Sequence, residues 1–467
     1  MEKKHKADFD YFLSVLDKAD TGPYVEEKDW DRQYITNTIK GLIKKYDISW
    51  DKANTAVPYD DSLSDRLFEA GMELAVVSGV YCIDTHRRMV WTREELDKVL
   101  ANAPTSVVVG TGKDAVTIQK RSPDEHKRVG VIGGPYGIPI SEELFFPLTL
   151  SYAKERSLDF IENASLLTTY GRDIRAKSPW DSVACWQEVD LIFKAIKEAG
   201  RPGMGVGGPN STASAIGVLT TVSHNGFRPS DWNHNSFMSE LKVSYEDLIR
   251  SAHFYYTDSY CHNFYNPIFG GFAGGGEGIA IAMVTGMVLM KACLHGDSVN
   301  PGPSHAHLSC DTYPEIITSK ALAMQALNRN THLLTSSFAR PAAGPGVIDI
   351  FYEVAAMHIA GVTSGVAFVK GVQSASGRFA GHCSALECRF MAKVAHAAEK
   401  LSRKEANPIV RKLMDKYRDV QKDMRIGKPF NEVYDLNTLE PTSEWMNLYA
   451  QACKEMKLLG LPLEGED

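Results

Sequence analysis

Two histidines and a thiol at close spacing, His305-Ala306-His307-Leu308-Ser309-Cys310, form the most metal-like group in the chain. Alternate residues of a strand share a face, so His305 and His307 could ligate one ion, with Cys310 a little further on. Zinc held there would polarise a methoxyl or thioether, easing departure of its oxygen or sulfur. An HxH pair is common in loops and strands, however, and no metal is favoured on this spacing alone. A different chemistry is suggested by Gly200-Arg201-Pro202-Gly203-Met204-Gly205-Val206-Gly207-Gly208-Pro209, with five glycines and two prolines in ten residues. This composition predicts a rigid, side-chain-free loop, neither helix interior nor central strand, where the backbone comes close to something. Phe272-Ala273-Gly274-Gly275-Gly276-Glu277-Gly278 matches neither a Walker loop nor a dinucleotide fingerprint, so no nucleotide is implied. Asp84-Thr85-His86-Arg87 lacks a nucleophile elbow and reads as structural.

The elements that must position these groups follow from periodicity. Residues 1–104 read as helices, with Phe9, Phe12, Leu13 and Leu16 at helical spacing, as are Leu67, Met72, Leu74 and Val77. From Thr105-Ser106-Val107-Val108-Val109-Gly110 onward, short apolar runs alternate with amphipathic segments. The runs include Val129 to Ile132, Phe160 to Asn163, Gly203 to Val206, Ala306 to Leu308, His332 to Leu334 and Val366 to Phe368. Helical patterns fall at 183–199, 240–254, 278–293, 314–328, 347–360 and 384–402. Strand-then-helix repetition implies parallel strands joined by crossover helices. Roughly eight such units predict an α/β fold, a (β/α)8 TIM-type barrel, with a doubly wound sheet as the alternative. The expected organisation is an N-terminal helical segment over 1–104, a barrel over 105–405 and a C-terminal helical extension over 406–467. Asp114 and Glu142 are candidates for strand ends on the barrel's active face.

The 467 residues are 44% hydrophobic and 23% charged, with a net charge of −7. That balance, without a basic block interleaved with aromatics, argues against nucleic acid as a partner. The eight cysteines contain no CxxC pair and read as reduced thiols. The charged start Met1-Glu2-Lys3-Lys4-His5-Lys6 predicts no signal peptide. The most apolar helical stretch, Ile279 to Cys293, is too short to span a bilayer and contains Lys291. A cytoplasmic protein without membrane association is expected. The basic stripe at 411–425 reads as a solvated helix face that could also help dock an acidic partner.

Many ordered segments carry a family resemblance. They include Tyr81-Cys82-Ile83-Asp84-Thr85-His86-Arg87, Gly110-Thr111-Gly112-Lys113-Asp114-Ala115-Val116, Pro139-Ile140-Ser141-Glu142 and Lys177-Ser178-Pro179. Ala199 to Val206, Pro267 to Gly275, Ala343-Gly344-Pro345 and Tyr434-Asp435 continue the series. On these segments the chain resembles the monomethylamine:corrinoid methyltransferase family over nearly its whole length. The resemblance implies a barrel assembled as a homo-oligomer, a hexamer in the family. The implied reaction moves a methyl group from a small methylated substrate to Co(I) of a partner corrinoid protein, in methylamine metabolism or methanogenesis. The corrinoid is carried by that partner, and no tightly bound cofactor of the chain's own is expected.

By the same resemblance, Gly207 occupies the position of pyrrolysine, whose imine ring is thought to hold the amine as an adduct. Two positions where the amine enzymes have glutamates are His234 and Phe264 here. The polar and aromatic pair before the Ala-Gly-Pro turn corresponds to Phe338 and Arg340. A substrate whose methyl already sits on a good leaving group, such as a quaternary ammonium or sulfonium, would not need pyrrolysine. Phe264, Trp232, Phe338 and Tyr265 are candidates for cation–π contact with it. Arg340 could hold a substrate carboxylate by a bidentate pair, as a betaine would require. The candidate substrate-binding residues are therefore His234, Phe264, Phe338, Arg340 and Trp232, with no catalytic residue assigned. The alternatives are a methylamine methyltransferase proper, a zinc-dependent methoxyl or thioether demethylase using His305, His307 and Cys310, and a non-catalytic binding homologue.

Overall fold

Eight short parallel strands carry the architecture, each too short to be stable except as part of a closed sheet. In the computed structural model they are β1 (Gly130–Gly133), β2 (Phe160–Glu162), β3 (Gly205–Gly207), β4 (Trp232–Phe237), β5 (Tyr260–Tyr265), β6 (Ser298–Pro301), β7 (Ser336–Phe338) and β8 (Phe368–Gly371). Neighbours in sequence pair in order from β1 to β6, and β8 joins β7 to β1. A parallel bridge between Val299 and Thr335 closes β6 against β7. The result is a (β/α)8 barrel, in which side chains at strand carboxyl ends converge on one mouth. The structure describes residues 3–464 apart from 209, 213 and 224, so Met1, Glu2 and Pro209 of the segments above lie outside the described residues.

The glycine-rich run departs from expectation. Gly205-Val206-Gly207 is itself barrel strand β3, buried throughout and paired on both sides. Glycine is tolerated in this central strand because bulky neighbours press on it: a Cβ on Gly205 would lie 2.3 Å from Phe160 Cδ2. The first apolar run, near Val107, is no barrel strand either. Ser106–Val109 and Val116–Gln119 form an antiparallel hairpin whose turn bonds Gly203 and Ser230, ahead of β3 and β4. Ala306 to Leu308 and His332 to Leu334 also lie outside the strands, whereas β4, β5 and β6 escaped the apolar-run criterion.

The region before residue 104 contains the helices Lys3–Thr21, Thr38–Lys45, Asp61–Ser78 and Arg93–Ala101. It is not wholly helical: Val80–Cys82 and Arg87–Met89 pair antiparallel, and Asp84-Thr85-His86 makes their turn. Lys242–Val243 extends this small sheet, tying the segment to the barrel. The helix Gly276–Leu294 is long and apolar enough to cross a membrane, but its apolar window is 94% buried inside the protein. It packs between Asp61–Ser78 and Pro314–Asn330. At the other end, Arg403–Tyr417 and Ser443–Leu458 pack on the helix Asp349–Thr363. Part of the basic stripe is spent internally: Lys416 pairs with Glu455 at 2.7 Å, and Arg425 with Asp349 at 2.7 Å.

Candidate active site at the barrel mouth

Glu162 ends β2 and is fully buried, which is tolerable for a carboxylate only when it is paired. Its Oε1 accepts from Trp232 Nε1 at 2.9 Å and from Lys370 Nζ at 3.1 Å, and lies 3.2 Å from His234 Nε2. Its Oε2 has no partner among the described residues. Burial works to raise the Glu162 pKa, but the charges and hydrogen bonds of His234 and Lys370 outweigh it and hold the carboxyl below its usual range. Lys370, from β8, is equally enclosed; burial pulls its ammonium pKa down against the attraction of Glu162. Three rings surround that ammonium. Its Nζ lies 4.7 Å from the Tyr136 ring centre, 5.5 Å from Trp232 and 5.7 Å from Phe338.

Above this ion pair is a cavity of about 140 Å³ bordered by Tyr136, Glu162, His234, Phe264, Phe338, Arg340 and Lys370. Asn210, Asn266, Asn300 and Gln373 complete its wall. Strand register explains the convergence: His234 on β4 and Phe264 on β5 face the same mouth, their rings edge to face at 5.4 Å. Phe338 ends β7, level with Lys370 on β8. Arg340 follows two residues later; its backbone is held by Asp311, whose Oδ1 accepts from Arg340 N at 2.7 Å and whose N donates to Arg340 O at 3.1 Å. Asp311 is in turn fixed by buried Lys320 at 3.2 Å. Among the described residues Arg340 Nε has no partner, and Nη2 reaches only Pro303 O at 3.4 Å.

Four of the five sequence candidates, His234, Phe264, Phe338 and Arg340, thus meet in one cavity. Trp232 does not line it. Fully buried, it stacks on His262 at 4.6 Å and acts on the site through Glu162. Tyr265 is also buried away from the cavity, its hydroxyl donating to Ser239 O at 2.7 Å. His305, His307 and Cys310 form no ligand set. His305 Nδ1 accepts from the backbone N of His307 and of Leu308, Cys310 is buried with its thiol pKa raised, and no metal-holding group of three or more His, Cys, Asp or Glu exists among the described residues. Asp114 accepts from Gly203 N at 3.0 Å on the far side of β3, and Glu142 braces Tyr170 and Gly171. Neither enters the mouth. Glu162, Lys370 and Tyr136 were not singled out from sequence, because each sits beside a short strand with no motif of its own.

Gly207 lies between these groups, paired with Glu162 on one side and Trp232 on the other. A Cβ there would fall 2.1 Å from Trp232 Nε1, 2.4 Å from Cδ1 and 2.9 Å from Glu162 Cγ. The loop that follows is held by Glu188, which accepts from Asn210 N at 2.9 Å and Ser211 N at 3.1 Å. Complete burial raises the Glu188 pKa from 4.5 to about 7. The folded protein then holds this proton more tightly than the unfolded chain. The stabilisation is full below about pH 4.5 and is lost as pH rises through about 7, amounting to at most about 3 kcal/mol. Urea unfolding at pH values across this window is therefore expected to show stability falling as pH rises, with Glu188→Gln flattening the slope. An unchanged slope in that variant would contradict the assignment.

Charged and aromatic groups converging at the carboxyl ends of a parallel barrel define a barrel enzyme with a small binding site at its mouth. A family model described as Monomethylamine methyltransferase MtmB matches residues 10–461. Monomethylamine methyltransferase MtmB2 of Methanosarcina acetivorans is 34% identical over 460 residues, covering 98% of this chain and 99% of the relative. MtmB3 of Methanosarcina barkeri is also 34% identical, covering 95% and 97%. The crystal structure of the Methanosarcina barkeri monomethylamine methyltransferase superposes with a TM-score of 0.93 at 33% identity, covering 96% of this chain and 98% of that one. The chain belongs to the monomethylamine methyltransferase family and is a methyltransferase.

Proposed function

We propose that this protein transfers a methyl group from a small pre-activated donor to the Co(I) centre of a partner corrinoid protein, without pyrrolysine. The observation that carries this reading is the packing at Gly207, which aligns with the pyrrolysine position of the resemblance. The indole of Trp232 and the Cγ methylene of Glu162 fill the space that any side chain there would enter. An amine adduct on residue 207 is then unavailable, so the leaving group must come ready-made in the donor. A quaternary nitrogen or a sulfonium meets that need: as the carbon–heteroatom bond breaks, the heteroatom keeps the electron pair and departs uncharged. The chain's own residues bind and orient the donor. Phe264 and Phe338 supply apolar walls and Arg340 a cation. The family's homo-oligomeric assembly belongs to the same reading.

The reading is tested by incubating purified enzyme, a Co(I) corrinoid protein and separate donors, and identifying the demethylated product by mass spectrometry. Methylamine, a trimethylammonium zwitterion, a sulfonium and a methoxyl compound form the panel, each run with and without a zinc chelator. Product from the ammonium or sulfonium donor, with none from methylamine and no effect of the chelator, is expected. Chelator-sensitive demethylation of the methoxyl compound would instead favour zinc chemistry.

A further inference from the structure

The aromatic box beside Glu162 has the composition of a site for a methylated ammonium, yet the protein has filled it with its own cation. Lys370 Nζ sits among Tyr136, Trp232 and Phe338, at 4.7, 5.5 and 5.7 Å from their ring centres, and 3.1 Å from Glu162 Oε1. A buried ammonium needs such surroundings, in which cation–π attraction and a carboxylate partner offset part of the cost of leaving water. What remains of the cavity has a different character. Glu162 and Lys370 offset each other, and Arg340 adds a positive charge with no carboxylate partner among the described residues. Its buried Nε is unpartnered and its one side-chain hydrogen bond, to Pro303 O, is 3.4 Å long. An unpaired, half-buried guanidinium at the wall of the cavity calls for an anion from the ligand.

We propose that Lys370 determines specificity: by occupying the ammonium box it excludes purely cationic methyl donors, and the pocket selects donors bearing a carboxylate that Arg340 receives. This inference rests on the methyl-donor reading above and narrows it to zwitterions, whose onium group can face the free Oε2 of Glu162. A donor with a positive charge alone would meet both Lys370 and Arg340 with only one carboxylate to offset them. At these separations in a half-open pocket, each unbalanced charge is worth about a tenfold change in affinity or more.

Isothermal titration calorimetry on the intact protein tests the proposal without requiring turnover. The probes are N,N,N-trimethylglycine, which is a zwitterion, and tetramethylammonium, which shares its onium group. The wild type is expected to bind the zwitterion at least about tenfold more tightly. Lys370→Met, which opens the ammonium box, is expected to gain at least about tenfold for tetramethylammonium. Arg340→Met is expected to lose the zwitterion and, with one opposing charge gone, to bind tetramethylammonium more tightly than the wild type does. Lys370→Gln serves if the methionine variant does not fold, and the half-buried Arg340 site gives an independent readout. A wild type that prefers tetramethylammonium, or that shows no saturable binding of the zwitterion, overturns the proposal. So does an Arg340→Met variant with undiminished zwitterion binding. If this order of binding holds while no donor is ever demethylated, the specificity stands and the methyl-transfer reading fails. If turnover occurs without any charge preference, only the role of Lys370 fails.

Discussion

Replacing Gly207 by alanine is expected to destabilise the protein by about 3 kcal/mol or more and to abolish methyl transfer. The added Cβ would lie 2.1 Å from Trp232 Nε1 and 2.4 Å from Cδ1, so the indole must move. It has nowhere to go: Phe160 lies 4.2 Å away between ring centres, His262 4.6 Å and Phe368 5.5 Å. Overpacking of this kind costs about 1–3 kcal/mol, and losing the Trp232 bond to a charged Glu162 adds about 1.5–3 kcal/mol. Urea unfolding measures the first effect. In a Trp232→Leu background the same alanine is expected to cost less than half as much, because the clashing ring is gone. Equal costs in both backgrounds would show that the indole is not what restricts residue 207.

The second large effect concerns Glu162. Glu162→Ala is expected to cost about 3–5 kcal/mol, because it leaves the Lys370 ammonium buried without a counter-charge. Turnover should fall at least about a hundredfold, since the cavity floor and the positions of Lys370, Trp232 and His234 all depend on this carboxylate. The informative comparison is the double variant Glu162→Ala with Lys370→Met. Removing both charges is expected to recover most of the lost stability, giving a coupling energy of about 2 kcal/mol or more. Strict additivity would mean that the two groups, 3.1 Å apart, do not depend on each other. Glu162→Gln keeps an acceptor for Trp232 and should therefore be milder in stability than alanine, yet still impaired in turnover.

The barrel was legible because its outer helices carry long amphipathic or apolar patterns. Gly276–Leu294 and Pro314–Asn330 lie within two residues of where periodicity places them. The strands were less so, for a physical reason. β4, β5 and β6 read Trp-Asn-His-Asn-Ser-Phe, Tyr-Cys-His-Asn-Phe-Tyr and Ser-Val-Asn-Pro. Most of their polar residues are buried in the barrel; Asn235 Nδ2 donates to Asp247 O at 2.8 Å, whereas neither side-chain polar atom of Asn233 has a partner among the described residues. No apolar-run criterion finds such strands. β3 was read two ways: Gly203 to Val206 fell among the strand-like runs, while its glycines, whose lost side chains are replaced by Trp232 and Phe160 from neighbouring strands, also read as a loop. Of the site, His234, Phe264, Phe338 and Arg340 were reachable through resemblance to a family with other residues there. Glu162 and Lys370 were not. They are 208 residues apart in sequence, and only closure of β8 onto β1 and of β1 onto β2 brings them together. Trp232 was assigned to the right neighbourhood with the wrong role, because composition cannot tell a ring that faces a ligand from one that props a carboxylate.

The account stands or falls on whether a leaving group built into the donor replaces chemistry at residue 207. The most direct measurement is the single-turnover loss of the Co(I) absorption band of a partner corrinoid protein, with N,N,N-trimethylglycine and methylamine compared at equal concentration. Rapid loss with the trimethylated zwitterion and none above background with methylamine is the predicted result. Loss with methylamine at a comparable or greater rate would contradict it, showing that the pocket around Gly207 activates an amine by a route this geometry does not provide.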